Sequence, residues 1–539
     1  MTRRSFTIGK MVLPLCLLAI TSSVLAQSKT DRAEVSWGEA REERKDGRFG
    51  GLQHQAQDRV YVIVHRKDDP WLQVFNTDQV LLKEIPLPME MGREDHSWEE
   101  LLFLKDRMVF LTSVYTKSEK RTTLYGRSYD LDGLSSIGGM RELMAMDAES
   151  KRDRGWFRVE ATPDSTGFRL WGTGAGQKEE RMVSANVKHF SSELTLLKEE
   201  VESYERPYPH DEYDVETTFI EEDGTRYMWV RKHPEKREKK DRKREGKPTY
   251  DMVLAVYENG VGKPKLYPIE TGDRFLQDLR MTLVEDKNEI ICAGFYGIKG
   301  AWTVRGAYVL RLDRSTKAVK HESYKEFDRD FITAFMTEKE EKKATKRAER
   351  KGEELELYEY DLDEIVLRED GGMVLVGEQY YMYTTTVCTT NQNGGQTCRT
   401  VFHYIYNDII AVSTDAQGNI TWAVKIPKRQ HTTNDGGYYS SYALAVKGEK
   451  MYFVFNDSGK NLFLTPGQKV EQFDLRGKEA LITLVTVDID GRVTREALLA
   501  PEKRDAILRP KSCVQTDDAR MFIYAQRKKE YRFGTITFQ

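Results

Sequence analysis

The chain has 539 residues, a formal net charge of −3 and 32% charged residues. This mild acidity argues against nucleic acid as the main partner, because binding to phosphates needs a basic surface. Beyond the first 26 residues no apolar run approaches the length of a membrane-spanning helix, so we expect no membrane span.

The first 26 residues have the three parts of a secretory signal peptide. The basic residues Arg3, Arg4 and Lys10 come first, an apolar run follows, and small residues end the segment at Ala26. The apolar run is too short to span a membrane stably. We therefore expect cleavage near Ala26 and a periplasmic or secreted protein. Cleavage removes three basic residues and no acidic one, which moves the formal net charge from −3 to −6.

The N-terminus of the mature chain resembles a strand from elsewhere in the sequence. Residues 33–41, AEVSWGEAR, resemble the strand ITWAVK that starts at Ile420, and Trp37 matches Trp422. The C-terminal part of the chain, from residue 512 onwards, has only three candidate strands of its own. We expect the N-terminal strand to complete it, which removes two exposed sheet edges.

One sequence pattern recurs eight times along the chain: an apolar strand, a short acidic or glycine-containing turn, and a second apolar strand. The copies span 52–64, 100–114, 157–172, 216–230, 281–295, 363–377, 442–455 and 512–525. A β-hairpin that repeats at this period is typical of a β-propeller. Several copies are followed by two more candidate strands. The turns that join them run from Asp to Gly, at 130–133, 415–418 and 488–491.

The predicted unit is thus a four-stranded antiparallel blade. We predict an all-β fold, an eight-bladed β-propeller that forms a single domain over residues 27–539. Seven blades is the alternative if the weak third repeat is misread.

Two charged insertions interrupt the period. Residues 231–247 carry ten basic and four acidic side chains, and residues 338–356 alternate in sign at helical spacing. We interpret the first as a solvated hairpin tip and the second as a short charged helix. The alternative for 231–247 is a basic finger that binds an anionic partner.

Residues 378–406 predict a long hairpin closed by a disulfide. Cys388 and Cys398 flank a polar loop with the sequence Asn-Gly-Gly, and the strands on either side pair across it. In an oxidising compartment we expect these cysteines to be bonded, with two free thiols as the alternative. Their spacing resembles no zinc knuckle.

Aspartate recurs in most of the crossovers that lead from one repeat to the next. The residues are Asp46, Asp95, Asp153, Asp211, Asp273, Asp435 and Asp505. Crossovers of a propeller gather on one face around the central channel, where ligand sites tend to lie. We interpret these residues as turn caps that accept backbone N–H bonds. The alternative is a ligand site at the channel mouth, which calcium would suit.

Histidine occurs in three of the same crossovers, as His96, His210 and His431. We count His96 and His210 among the candidate ligand-binding residues. No two of the three have a metal-ligand spacing, so we predict neither a transition-metal site nor a cofactor.

Tyrosine is concentrated in the sixth repeat and at the start of the seventh. Tyr381, Tyr383, Tyr404 and Tyr438 are candidate binding residues, because tyrosine offers a flat apolar face and a polar tip to a sugar or a protein. Aromatic pairing across the strands of a long hairpin is the alternative.

The segment AVSTDAQGNITW (411–422) resembles the repeat of bacterial quinoprotein-like eight-bladed propellers, in which an Asp–Gly turn leads to a docking tryptophan. The resemblance implies a propeller of the quinoprotein-like or WD40-like repeat type, without a specific family. It implies no particular chemistry, since propellers host many functions.

The sequence contains no nucleophile elbow, Walker loop, zinc-protease helix or kinase signature. We therefore expect a monomeric binding or scaffold protein that recognises a cell-envelope protein or glycan. Its site would be the channel-mouth loops or the Tyr-rich hairpin. The alternative is an enzyme, metal-dependent or not, that acts on a polysaccharide or a small metabolite.

Overall fold

The computed structural model describes residues 27–539 except 57, 92–93, 178–179, 222, 285–286, 301, 391–395, 476 and 500–506. The predicted signal peptide, residues 1–26, lies outside the described residues. Strands make up 59% of the structure and helices 9%, so the all-β prediction is confirmed.

The described residues form eight antiparallel sheets of at least four strands, which we call blades 1 to 8 in chain order. Blade 1 consists of Arg48–Ala56, Arg59–Arg66, Asp69–Asn76 and Leu81–Pro86, and blade 2 of Ser97–Phe103, Arg107–Thr116, Arg121–Asp130 and Ser136–Asp147. Blade 3 consists of Trp156–Ala161, Gly167–Thr173, Met182–Ser191 and Leu196–Glu205, and blade 4 of Tyr213–Ile220, Arg226–Lys232, Asp251–Tyr257 and Lys265–Ile269. The weak third repeat thus forms a sheet of its own.

The remaining blades use the rest of the chain and its N-terminus. Blade 5 consists of Phe275–Val284, Glu289–Gly297, Gly306–Asp313 and Val319–Glu326, and blade 6 of Tyr360–Leu367, Met373–Thr390, Gln396–Thr414 and Ile420–Ile426. Blade 7 consists of Ala443–Lys447, Lys450–Ser458, Ala480–Val487 and Val493–Leu499, and blade 8 of Val514–Asp517, Arg520–Arg527, Glu530–Phe538 and Ala33–Trp37. Short strands outside these sets are Gln27–Lys29, Arg41–Glu42, Glu90–Met91, Glu94–Asp95, Thr303–Val304, Leu357–Tyr358, Gln430–Thr433 and Ile507–Leu508.

Each blade packs on the next through a hydrophobic core, and the described residues contain eight such cores. One of them joins the last blade to the first, where Phe49 stacks on Tyr524 with ring centroids 4.0 Å apart. The first strands of several neighbouring blades also contact each other, as in blades 4, 5 and 6. The sheets therefore form a closed ring with their first strands around a central channel, which is the predicted β-propeller.

The N-terminal strand closes the ring, as predicted. Ala33 pairs with Phe538 and Trp37 with Gly534, so that Ala33–Trp37 becomes the outer strand of blade 8. Ala33, Val35 and Trp37 are buried in the core between blades 7 and 8. Burial of these apolar side chains against residues far away in the sequence stabilises this short strand.

The docking tryptophan of the sixth repeat joins two blades. Trp422 Nε1 donates a hydrogen bond of 2.6 Å to the carbonyl oxygen of Ile489, in the Asp–Gly turn of blade 7. Gly491 ends that turn with φ 77°, and a Cβ there would lie 2.7 Å from the Trp422 ring. The glycine therefore serves both the turn and the close approach of the tryptophan.

The two charged insertions are both helical. Residues 338–356 contain the predicted helix, Glu338–Lys351, which begins with a capping box formed by Thr337 and Glu340. Residues 231–247 join the second and third strands of blade 4 and are mostly exposed, and Lys236–Arg244 among them forms an α-helix that the sequence did not predict. Arg242 fixes this helix by bonding Glu238 within it and Asp251 at the start of the next strand.

The other helical segments are short. They are the α-helices Glu43–Asp46 and Arg329–Thr333 and the 3-10 helices His210–Glu212, Glu258–Gly260, Gly459–Asn461 and Pro510–Ser512. Within the described ranges, no helix is both long enough and apolar enough to cross a bilayer.

Candidate functional site

In four blades the innermost strand carries a β-bulge near its start, with an acid at the bulge. The acids are Glu99, Glu216, Asp278 and Asp363, in blades 2, 4, 5 and 6. A bulge leaves one residue out of the ladder and re-aims its side chain. Because the innermost strands surround the channel, these acids lie on the channel wall.

Glycines on the second strand make room for the bulged backbone. A Cβ at Gly377 would lie 2.7 Å from the carbonyl oxygen of Asp361, and one at Gly294 would lie 2.9 Å from that of Asp278. Since real Cβ contacts are longer than this, only glycine lets the two strands approach so closely.

Two carboxyls on the innermost strand of blade 6, Asp361 and Asp363, have raised pKa values. Asp361 and Asp363 reach solvent, yet protein surrounds them closely. Desolvation, followed by the charges of Asp278 and Glu378 respectively, raises the pKa of Asp361 to about 6 and that of Asp363 to about 7. Tyr442 donates a 2.7 Å hydrogen bond to Asp363 Oδ2.

A fully buried ion pair lies beside these acids, on the side of blade 7. Lys428 Nζ is 2.5 Å from Glu378 Oε1, and the two side chains are 0% and 4% exposed. Lys428 Nζ also donates to the Tyr406 carbonyl oxygen and to Gln430 Oε1, each at 3.2 Å. Ser441 Oγ donates to the second oxygen of Glu378 at 2.7 Å. Every proton of the ammonium thus has an acceptor, which a buried charge requires.

Cations stack on tyrosines at the mouth of the channel. The guanidinium carbon of Arg509 lies 3.1 Å from the ring centroid of Tyr438, and Lys511 Nζ lies 4.1 Å from that of Tyr406. We call Tyr406, Tyr438, Arg509 and Lys511 the mouth cluster. Both phenol groups are hydrogen-bonded within the protein, because Lys511 Nζ donates to the Tyr406 hydroxyl oxygen and the Tyr438 hydroxyl donates to Gln526 Oε1 at 3.2 Å.

A long hairpin projects from the same face of the propeller. Its strands, Met373–Thr390 and Gln396–Thr414, pair continuously beyond the sheet of blade 6, and we call residues 380–406 the blade-6 hairpin. Cys388 and Cys398 form the predicted disulfide near its tip. The pairing of the flanking strands, which the sequence predicted, is confirmed.

Aromatic side chains pair across the hairpin. Tyr383 lies parallel to His403 with ring centroids 4.4 Å apart, and Tyr380 lies 4.6 Å from Tyr406. Beyond this ladder, Met382 and Phe402 remain 49% and 41% exposed on one face. The hairpin therefore presents apolar surface to solvent as well as pairing its own rings.

The hairpin also has open strand edges. In the described part of the chain, the first strand has no ladder partner other than the second strand beyond Tyr380, and the second strand pairs with Gln430–Thr433 only at 403–406. Unpaired edges expose backbone N–H and C=O groups that another strand can use.

Four of the predicted crossover residues are exposed, namely Asp153, His210, Asp211 and Asp273. Asp95 lies in a short strand, but its side chain, like the whole of Asp505, falls outside the described residues. The described side chains contain no group of three or more His, Cys, Asp or Glu that could hold a metal ion. The calcium site at the channel mouth stays a prediction.

Two predicted residues are held by local contacts. His96 is only 7% exposed and its Nδ1 lies 2.8 Å from Thr112 Oγ1, inside blade 2. Asp435 accepts a 2.9 Å hydrogen bond from the backbone N–H of Gly437, which is the turn-capping role.

The predicted tyrosines lie in different places, and Tyr404 is on the face of the hairpin opposite Tyr381 and Tyr383. Tyr381 and Tyr383 have ring centroids 6.5 Å apart on the hairpin, Tyr404 lies on its other strand, and Tyr438 joins the mouth cluster. Sequence reasoning missed the bulge acids, the Glu378–Lys428 pair and the mouth cations. Strand pairing and the packing of crossovers from neighbouring blades bring these residues together, so their positions in the sequence gave no signal.

No protein-family model matches the chain, and no curated protein matches it. Solved structures similar to it include the WD40 domain of SCAP from fission yeast, with 8% identity over 93% of this chain and 98% of that one, at a TM-score of 0.35. Prolyl oligopeptidase B from Galerina marginata has 12% identity over 90% of this chain and 55% of its own, at a TM-score of 0.36. The β-propeller domain of the Trilobed protease from Pyrococcus furiosus has 9% identity over 71% and 97%, at a TM-score of 0.29.

The chain spans about half the length of prolyl oligopeptidase B and of a puromycin hydrolase that it also matches. Scores this low carry no argument about function. The fold assignment rests on the eight sheets, their cores and the closure between blades 8 and 1.

Proposed function

We propose that this is an exported binding protein, in which the propeller is a rigid base and the blade-6 hairpin recognises a protein of the cell envelope. The observation that carries the proposal is the composition of the projecting hairpin. Among residues 380–406, Arg399 is the only Asp, Glu, Lys or Arg, whereas such residues make up 32% of the whole chain.

An exposed hairpin of this kind would ordinarily be protected against association. Natural proteins protect sheet edges with charged side chains, prolines or bulges. This hairpin contains no proline and a single formal charge, and it exposes Met382, Tyr383, Val387 and Phe402. Association is the function that such a surface supports best, because apolar patches on soluble domains mark interaction sites.

The open edges favour a polypeptide partner over a glycan. A partner strand can extend the ladder through main-chain hydrogen bonds, while the tyrosines and Phe402 give specificity. The mouth cluster lies at the base of the hairpin and would contact the same partner through Arg509 and Lys511. Stacking of a sugar on Tyr381 or Tyr383 would need no open edge, so the two partner classes use different parts of the hairpin.

Export is supported by the signal-like residues 1–26 and by the disulfide between Cys388 and Cys398. Structural disulfides persist in oxidising compartments, such as the periplasm or the extracellular medium. A partner in the cell envelope is consistent with that location.

The experiment removes the hairpin and keeps its base. In the antiparallel register Tyr381 faces Ile405, so residues 382–404 can be replaced by Asn-Gly, which favours a two-residue turn. The matched control deletes the exposed helix Lys236–Arg244, which also lies between the second and third strands of its blade. We expect the shortened hairpin to lose binding to envelope extracts and the helix deletion to keep it. Equal binding by both variants would refute the proposal, and loss of binding only on a glycan array would assign the hairpin to a sugar.

A second candidate function rests on the channel carboxyls. A carboxylic acid with a pKa near 7 suits general acid–base catalysis, and Asp363 has such a pKa on the channel wall. If the protein is an enzyme, Asp363→Asn abolishes turnover while substrate still binds. If the protein is only a binder, the variant keeps full affinity for its partner.

A further inference from the structure

Two imidazoles meet at the base of the blade-6 hairpin. His403 Nδ1 lies 2.9 Å from His431 Nε2, and the ring centroids are 5.2 Å apart. His403 belongs to the second strand of the hairpin, and His431 belongs to the short strand Gln430–Thr433 that pairs with it. The partner-binding role proposed above makes no use of this pair.

The backbone places the two histidines side by side, and two neighbours hold the ring of His403. In the ladder His403 pairs with Thr433 and Ile405 with His431, so that the histidines lie on adjacent strands. Tyr383 covers His403 at an interplanar angle of 3°. Thr385 Oγ1 lies 2.8 Å from Nε2 of His403, the nitrogen that faces away from His431. A fixed hydrogen bond on the far nitrogen is how proteins orient a histidine that binds metal.

The distance between the facing nitrogens fits a chelate. With metal–nitrogen bonds of about 2.0–2.1 Å, nitrogens at this separation subtend an angle of roughly 90° at a shared ion. That is the angle between neighbouring ligands in square-planar and octahedral complexes, the geometries that Cu(II) and Ni(II) adopt.

We propose that His403 and His431 form a bidentate site for a late first-row divalent ion, with Cu(II) bound most tightly. When the ion binds, the proton of the present hydrogen bond moves to the far nitrogen of its own ring, so that both facing nitrogens present a lone pair to the ion. Water takes the remaining positions. The site is independent of the channel carboxyls, and it requires the two histidines to be neutral.

The proposed site is small, which sets its expected strength. The described side chains supply two ligands here and never a group of three, so binding is weaker than at a structural zinc site. Selectivity should follow the order of imidazole affinities, with Cu(II) above Ni(II) and Cu(II) above Zn(II). Calcium, which prefers oxygen ligands, should not bind to the pair.

The test is calorimetric titration of the untagged protein with Cu(II), Ni(II), Zn(II) and Ca(II) at pH 7.5. We expect one Cu(II) per chain and an electron paramagnetic resonance spectrum with two nitrogen ligands. His403→Gln and His431→Gln should each weaken Cu(II) binding at least tenfold. Circular dichroism melts would show that the variants stay folded, and His431→Gln, on the short strand, is a second route if His403→Gln destabilises the hairpin.

The matched control is His233→Gln. His233 is another part-buried histidine, 25% exposed, whose Nε2 lies 2.9 Å from Asp214 Oδ2. This substitution should leave Cu(II) binding unchanged. Copper binding that survives both His403→Gln and His431→Gln, or that falls equally with His233→Gln, would overturn the proposal.

Discussion

Replacement of Lys428 by methionine should destabilise the protein strongly. The side chain is fully buried, and its ammonium supplies the only cation within hydrogen-bond distance of Glu378 among the described residues. Removing one partner of a buried ion pair typically costs about 3–5 kcal/mol, because the other charge stays buried without compensation. Glu378 would keep only the hydroxyl of Ser441. We therefore expect Lys428→Met to lower the free energy of unfolding by about 3–5 kcal/mol.

A double variant separates the ion pair from simple packing. Glu378→Gln combined with Lys428→Met removes both charges, and we expect it to recover part of the loss, because no uncompensated charge is buried. The assay is urea denaturation of wild type, both single variants and the double variant, followed by tryptophan fluorescence. A loss of less than about 1 kcal/mol for Lys428→Met, the value of a solvent-exposed pair, would refute the assignment of a dry, buried pair.

Three further predictions concern other parts of the molecule. Asp363 has a pKa of about 7 in the folded protein against an ordinary value of 3.8, so the folded state binds its proton more tightly and the free energy of unfolding falls as the pH rises from about 4 to 7. Asp363→Asn should flatten this slope in denaturation curves at pH 5 and 7.5, and an unchanged slope would contradict the pKa. Replacing Cys388 and Cys398 by serine should speed amide hydrogen exchange in the projecting hairpin and leave the sheet of blade 6 protected, because the disulfide lies beyond the sheet. Slower or equal exchange at the hairpin tip would contradict this prediction. Trp422→Phe removes the hydrogen bond to Ile489 and should cost about 1 kcal/mol in the same urea assay, with no cost if the docking contact is absent.

Local sequence patterns were enough to predict the architecture. The apolar pairs of strands and the Asp–Gly turns depend on neighbouring residues, so they could be recognised without knowledge of the ring. The closing strand was predictable for a different reason. Trp37 repeats the pattern of Trp422, and a three-stranded last repeat needs a fourth strand.

The rest of the candidate site could not be predicted, because it depends on contacts between residues that are far apart in the sequence. Glu378 and Lys428 are 50 residues apart, and nothing in either local sequence shows that the hairpin and the crossover place them in contact. The bulge at Asp363 depends on how two strands pair. The helix Lys236–Arg244 was not predicted because its exposed residues lack the apolar period by which helices are recognised.

Crosslinking in living cells tests the central claim most directly. A photoreactive phenylalanine analogue would replace Phe402 on the hairpin or, as the control, Phe463, which is 89% exposed and lies between the second and third strands of blade 7. We predict that position 402 yields a discrete protein adduct from the cell envelope and that position 463, although more exposed, does not. The same adducts from both positions, or none from position 402, would contradict recognition by the blade-6 hairpin.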